Sequence, residues 1–65
     1  MKHQNNIMTL SKEYGLEYDG TYLRKAGSEK LCSKFVKDGK VIWRNIYKSN
    51  GNEYVKYDGR EFFFD

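Results

Sequence analysis

Apolar and polar residues alternate in short runs along most of the chain, as in Leu31-Cys32-Ser33-Lys34-Phe35-Val36, Val41-Ile42-Trp43-Arg44-Asn45-Ile46-Tyr47 and Tyr54-Val55-Lys56-Tyr57. A period of two sends successive side chains to opposite faces of a sheet, so these runs predict β-strands. Between them stand Asp38-Gly39, Asn50-Gly51 and Asp58-Gly59, and a fourth dipeptide of the same kind, Asp19-Gly20, lies further forward. A type I′ hairpin turn needs positive φ at both central residues, which Asp, Asn and Gly reach at least cost, so each dipeptide predicts a tight hairpin. The chain reads as mainly β, a small antiparallel meander of about five strands.

Centring the turns on these dipeptides sets the register. Val36 falls opposite Val41, Phe35 opposite Ile42, Lys34 opposite Trp43, Ser33 opposite Arg44 and Leu31 opposite Ile46. The next turn places Lys48 opposite Glu53, Tyr47 opposite Tyr54, Ile46 opposite Val55 and Arg44 opposite Tyr57; the last places Tyr57 opposite Arg60, Lys56 opposite Glu61, Val55 opposite Phe62 and Tyr54 opposite Phe63. Opposite charges and aromatic pairs meet across the strands, contacts that each contribute roughly 0.2–1 kcal/mol. The register sorts Leu31, Phe35, Ile42, Ile46, Val55, Tyr57, Phe62 and Phe64 onto a core face, interrupted by Ser33 and Arg44. The opposite, wetter face receives Val36, Val41, Trp43, Tyr47, Tyr54 and Phe63 among Lys30, Lys34, Asn45 and Lys56.

The front of the chain extends this plan. A turn at Asp19-Gly20 pairs Leu16 with Leu23 and Glu17 with Tyr22, and a loop Ala26-Gly27-Ser28 then sets Lys25 against Glu29 and Leu23 against Leu31, adding Leu16 and Leu23 to the core face. Upstream, Ile7, Leu10 and Tyr14 recur at helical spacing, with Thr9 or Ser11 as N-cap and Gly15 as stop, so a short helix covers one end of the sheet. Residues 1 to 8 are expected as a flexible N-terminal tail and residues 9 to 65 as a single small β domain. A flat sheet with so few core residues is poorly stable, so the sheet is expected to curl, either into a small barrel of the SH3-like or OB-like kind or by pairing the Phe62-Phe63-Phe64 edge in a homodimer.

Sixty-five residues form one domain with no room for a buried cofactor, and none is expected. The single cysteine, Cys32, excludes an internal disulfide framework and a structural zinc site, which suits a reducing compartment. No apolar stretch approaches the roughly 18 residues of a membrane span, and the first residues lack the apolar run of a signal peptide, so a cytoplasmic location and no membrane partner are expected. Abundant Lys, Asn, Tyr, Phe and Ile fit an AT-rich gene of phage or mobile-element origin. The net charge is +3, but residues 21–48 hold eight Lys or Arg against only Glu29 and Asp38, so the middle of the chain is a basic block between acidic ends.

Catalytic chemistry finds little support. His3 is the only histidine and falls in the expected tail, Cys32 has no histidine partner, and Asp19, Asp38 and Asp58 are accounted for by their turns. The remaining enzyme class is a small metal-independent ribonuclease that positions and protonates with Arg, Lys, Tyr and a carboxylate such as Glu61. No glycine-rich phosphate loop is present, since each turn glycine stands alone and leads into a strand.

What the sequence offers is a surface. Trp43, Tyr47, Tyr54 and Phe63, with Tyr22 beside them, form an aromatic patch across several strands, and Lys30, Lys34 and Lys56, with Arg24, stand among them. Tyr, Trp and Arg dominate interface hot spots, so the expected function is a non-catalytic small binding protein that docks on a larger protein partner as stoichiometric inhibitor or adaptor. The alternative is a single-stranded nucleic-acid-binding module, with rings stacking on bases and cations on phosphates.

Overall fold

In the computed structural model, which describes residues 4–26 and 28–64, one helix precedes six strands. The helix α1 spans Ile7–Tyr14. The strands are β1 (Glu17–Ala26), β2 (Ser28–Lys37), β3 (Lys40–Asn45), β4 (Tyr47–Ser49), β5 (Asn52–Tyr57) and β6 (Arg60–Phe63). They form two antiparallel three-stranded sheets, β1-β2-β3 and β4-β5-β6, joined where the chain passes through Ile46 from β3 to β4.

Three of the four dipeptides make the expected turns. Asp38, Asn50 and Asp58 have φ of 51°, 51° and 53°, and each is followed by a glycine at positive φ, the type I′ requirement. The register follows: Phe35 pairs with Ile42, Lys34 with Trp43, Tyr47 with Tyr54, Lys56 with Glu61 and Tyr54 with Phe63. Asp19-Gly20 does not turn the chain. It forms a β-bulge within β1, which runs on to pair with β2 from Glu17↔Val36 to Ala26↔Ser28, so the expected pairs Leu16–Leu23 and Glu17–Tyr22 do not form. Only Gly20 has positive φ, at 109°, and the bulge keeps Tyr18 and Thr21 on one face, their hydroxyls 2.6 Å apart. A long ladder along β2 satisfies more backbone groups than a hairpin between two three-residue strands.

The expected single sheet also breaks. β3 ends at Asn45, so Ile46 pairs with neither Leu31 nor Val55 in a ladder, although Arg44 still lies over the Tyr57 ring at 5.0 Å. Among the described residues no ladder joins β1 to β6, so the barrel closure expected from the sequence is not seen. At the β6 edge, expected as a dimer edge, one residue is bonded within the chain: Phe63 N–H donates to Asn5 O at 3.0 Å and Asn6 bridges to Phe63 in parallel.

The helix closes the core. Asn6, not Thr9 or Ser11, is the N-cap, accepting from Thr9 N–H at 3.1 Å, and Gly15 ends the helix at φ 70° with its N–H on Ser11 O. Residues 1–3 of the expected tail lie outside the described residues, as does Gly27 of the loop; residues 6–8 cap and begin the helix. Leu10, Leu16, Phe35, Val55 and Phe62 are fully buried, with Ile7, Tyr14, Ile42, Ile46, Tyr57 and Phe64 packed around them. Leu23 and Leu31, expected in the core, are 52% and 57% exposed. They face each other in register near the far end of the β1–β2 hairpin, beyond the reach of an eight-residue helix about 12 Å long.

Candidate functional site

The helix and core occupy one side of the sheets, leaving the opposite faces to solvent, and the aromatic residues singled out from the sequence stand there in two groups. On the first sheet, Tyr22 of β1 and Trp43 of β3 meet edge to face with ring centroids 6.0 Å apart. Lys34, opposite Trp43 in register, lies over the Tyr22 ring at 5.7 Å and pairs with Asp19 at 3.2 Å. Arg24 lies over the Trp43 ring at 4.9 Å. The bulge helps to set this group: Tyr22 Oη donates to Asp19 O at 3.0 Å, folding the phenol back over Gly20. Cys32, between Tyr22 and Asn45 in the ladders, is buried although it lies on this outer face, and its thiol donates to Asn45 Oδ1 at 3.4 Å.

On the second sheet, Tyr47, Tyr54 and Phe63 form a ladder across β4, β5 and β6. Tyr47 and Tyr54 stack at 5.6 Å with 27° between ring planes, Tyr54 and Phe63 tilt at 5.1 Å, and Lys56 lies over Tyr47 at 4.6 Å. The eight residues nominated from sequence thus fall on both sheets, and among the described residues no ring contact joins the two groups. Tyr22, Lys34 and Trp43 come together on the first sheet; Tyr47, Tyr54, Lys56 and Phe63 come together on the second. Lys30, exposed and directly opposite Arg24 on β2, borders a groove at the junction that Leu31, Ile46 and Tyr47 also line.

Both groups mix ring surface with cations, and the cations sit on ring faces. Tyr22 and Tyr47 are the most open of the nominated rings, 46% and 39% exposed, while Trp43, Tyr54 and Phe63 are half-buried by their neighbours. Such an arrangement presents ring edges, a phenol hydroxyl and guanidinium or ammonium donors to a partner.

A third cluster escaped the sequence reading. Arg60 on β6 donates to Glu13 Oε1 at 2.7 Å, to Tyr14 Oη at 3.3 Å and to Asn5 Oδ1 at 3.2 Å, and Tyr14 Oη donates to Asp58 Oδ2 at 2.9 Å. Each partner lies far from Arg60 in sequence except Asp58, so no local spacing announces the group. The hydrogen bond from Arg60 holds the Glu13 carboxyl below its ordinary value against the opposing desolvation, with the Arg60 charge adding to it, and the hydrogen bonds to Glu13 and Tyr14 correspondingly raise Arg60. A carboxylate held charged in this way is a poor general base near neutral pH, so the cluster's chemistry is that of a clasp between helix and sheet. Glu61, the carboxylate nominated for a ribonuclease-like role, stands instead on the outer face opposite Lys56.

Among the described residues no group of three or more His, Cys, Asp and Glu is placed to hold a metal ion, and no helix is long and apolar enough to cross a membrane. Comparison with known protein families, with curated proteins and with solved structures finds no match.

Proposed function

We propose that this protein is a non-catalytic binding module that docks on a larger protein partner, as a stoichiometric inhibitor or adaptor, and that it does so in the cytoplasm. One observation carries the reading: the outer faces of both sheets hold mutually packed aromatic rings with cations seated on them, namely Arg24 on Trp43, Lys34 on Tyr22 and Lys56 on Tyr47. Rings braced by neighbours and partly open to solvent lose little conformational freedom on contact, which suits them as interface anchors. The same seating argues against single-stranded nucleic acid, whose bases need open ring faces to stack on. A free, buried thiol at Cys32 fits a reducing compartment.

The test is affinity capture by the tagged chain from nuclease-treated lysate of its native cells, run beside a Trp43→Ala/Tyr47→Ala variant whose fold is verified by circular dichroism. One protein retained in stoichiometric amount by the wild type and lost by the variant is the expected result. Recovery of nucleic acid from an untreated lysate, with all proteins lost on nuclease treatment, overturns the reading in favour of strand binding.

A further inference from the structure

We propose that the outer face of the first sheet, where Arg24 and Lys30 oppose each other beside Trp43 and Tyr22, receives an acidic segment of the protein partner, its carboxylates on the two cations and its apolar atoms against the ring edges. This rests on the protein-binding reading above and adds the chemistry of the partner.

Arg24 and Lys30 are direct cross-strand partners, and both are exposed. Like charges placed directly opposite repel and weaken a sheet. Elsewhere on this face the charge is balanced, for Lys34 is paired with Asp19 at 3.2 Å. Arg24 and Lys30 have no carboxylate of the described residues within ion-pair distance. Glu17, opposite Val36, shares this face but stands at the other end of β1, beyond the bulge, so the basic block of the sequence resolves into a local excess of charge at Arg24 and Lys30.

Arg24 is also held in place. Its guanidinium lies over the indole of Trp43 at 4.9 Å, a contact that restrains the side chain, and its five N–H donors exceed what that contact can use, so donors are left for a carboxylate. The other directly opposed basic pair, Lys37 and Lys40, flanks the Asp38-Gly39 turn and has no ring contact among the described residues, so it presents charge without a fixed geometry. That difference makes Lys37 and Lys40 an internal control.

A carboxylate fits this face better than a phosphodiester strand. Arg24 occupies a face of Trp43 and Lys34 a face of Tyr22, so the ring faces on which bases would stack are already taken. A short acidic segment needs only two cations and a ring edge.

Trp43 is the only tryptophan in the chain and stands in the site, so its fluorescence reports occupancy. Titrations with a short oligoglutamate peptide and with oligodeoxythymidylate of equal charge at the same ionic strength compare the two chemistries. Oligoglutamate is expected to saturate the signal, with affinity reduced about tenfold in Arg24→Gln/Lys30→Gln and less than about twofold in Lys37→Gln/Lys40→Gln. Equal losses in the two variants, or tighter binding of the oligonucleotide, overturn the inference. In the lysate capture, a partner lost with Trp43→Ala/Tyr47→Ala but retained by Arg24→Gln/Lys30→Gln overturns the acidic-segment inference alone; capture of no protein by the wild type overturns both.

Discussion

Arg60 and Glu13 form a two-point ion pair, 2.7 Å to one carboxylate oxygen and 3.4 Å to the other, that ties the last turn of the helix to the first residue of β6 across 47 residues of sequence. The core beneath it is small, so the helix depends on this clasp as well as on Leu10. Because the folded state holds the Glu13 carboxyl below its ordinary value of 4.5, the pair's contribution is complete above that value and is lost as pH falls through the lower folded one. Glu13→Gln is therefore expected to be less stable than wild type at neutral pH, with the gap closing as the solution is acidified through the carboxylate range. Urea unfolding at a series of pH values measures the gap; parallel curves for the two proteins would show that the pair contributes nothing.

Ser33 is expected to be a site of easy stabilisation. Its hydroxyl is fully buried on the core face of β2 and has no hydrogen-bond partner. An unsatisfied buried hydroxyl costs about 1–3 kcal/mol, partly offset in Ser33→Ala by the small void that the removed oxygen leaves. The alanine variant should gain about 1 kcal/mol in denaturant unfolding. A loss of stability would mean that the hydroxyl is satisfied in solution.

Gly20→Ala should damage both fold and surface. The residue sits at φ 109°, and an added Cβ would lie 3.2 Å from the Tyr22 ring. Backbone strain of about 1–3 kcal/mol is expected, together with a displaced phenol and an altered Trp43 emission, because Tyr22 packs edge to face on the indole. Gly39→Ala, with open space around its Cβ position, should cost stability and leave the emission unchanged.

Leu31→Thr tests how the sequence pattern maps onto burial. With Leu31 57% exposed, the substitution should cost less than about 1 kcal/mol, whereas Phe35→Ala, four residues along the same face and fully buried, should cost about 3–5 kcal/mol. Comparable losses would mean that the hairpin end is covered in solution.

The same two residues mark how far the sequence was legible. Alternation places Leu31 and Phe35 on one face correctly, but what covers a face depends on the reach of the second layer, and a helix ending at Tyr14 covers only part of the sheet. The three hairpin turns were legible because Asp38-Gly39, Asn50-Gly51 and Asp58-Gly59 carry their own conformational preference. Asp19-Gly20 has the same chemistry but becomes a bulge, because a ten-residue partner strand is available and a dipeptide does not encode that competition. The helix cap had a readable signal, an Asn immediately before the first periodic apolar residue, Ile7. The opposed Arg24 and Lys30 follow from the pairing of Lys25 with Glu29, which the sequence already implies. The splitting of the aromatic surface into two groups followed from the break at Ile46, which alternation alone does not foresee.

The ladder on the second sheet separates binding from folding. Tyr54 touches Tyr47 on one side and Phe63 on the other, so Tyr54→Ala removes two ring contacts from the middle of the sheet and is expected to cost about 1–3 kcal/mol. Among the described residues Tyr47 has a ring neighbour only in Tyr54; it is more open and lies on the short strand β4, so Tyr47→Ala should cost less than about 1 kcal/mol. If the ladder is an interface anchor, both variants lose the partner, yet only Tyr54→Ala shifts the thermal midpoint substantially. Retention of the partner by a well-folded Tyr47→Ala would assign the second sheet's rings to stability and leave Tyr22, Arg24 and Trp43 as the contact surface.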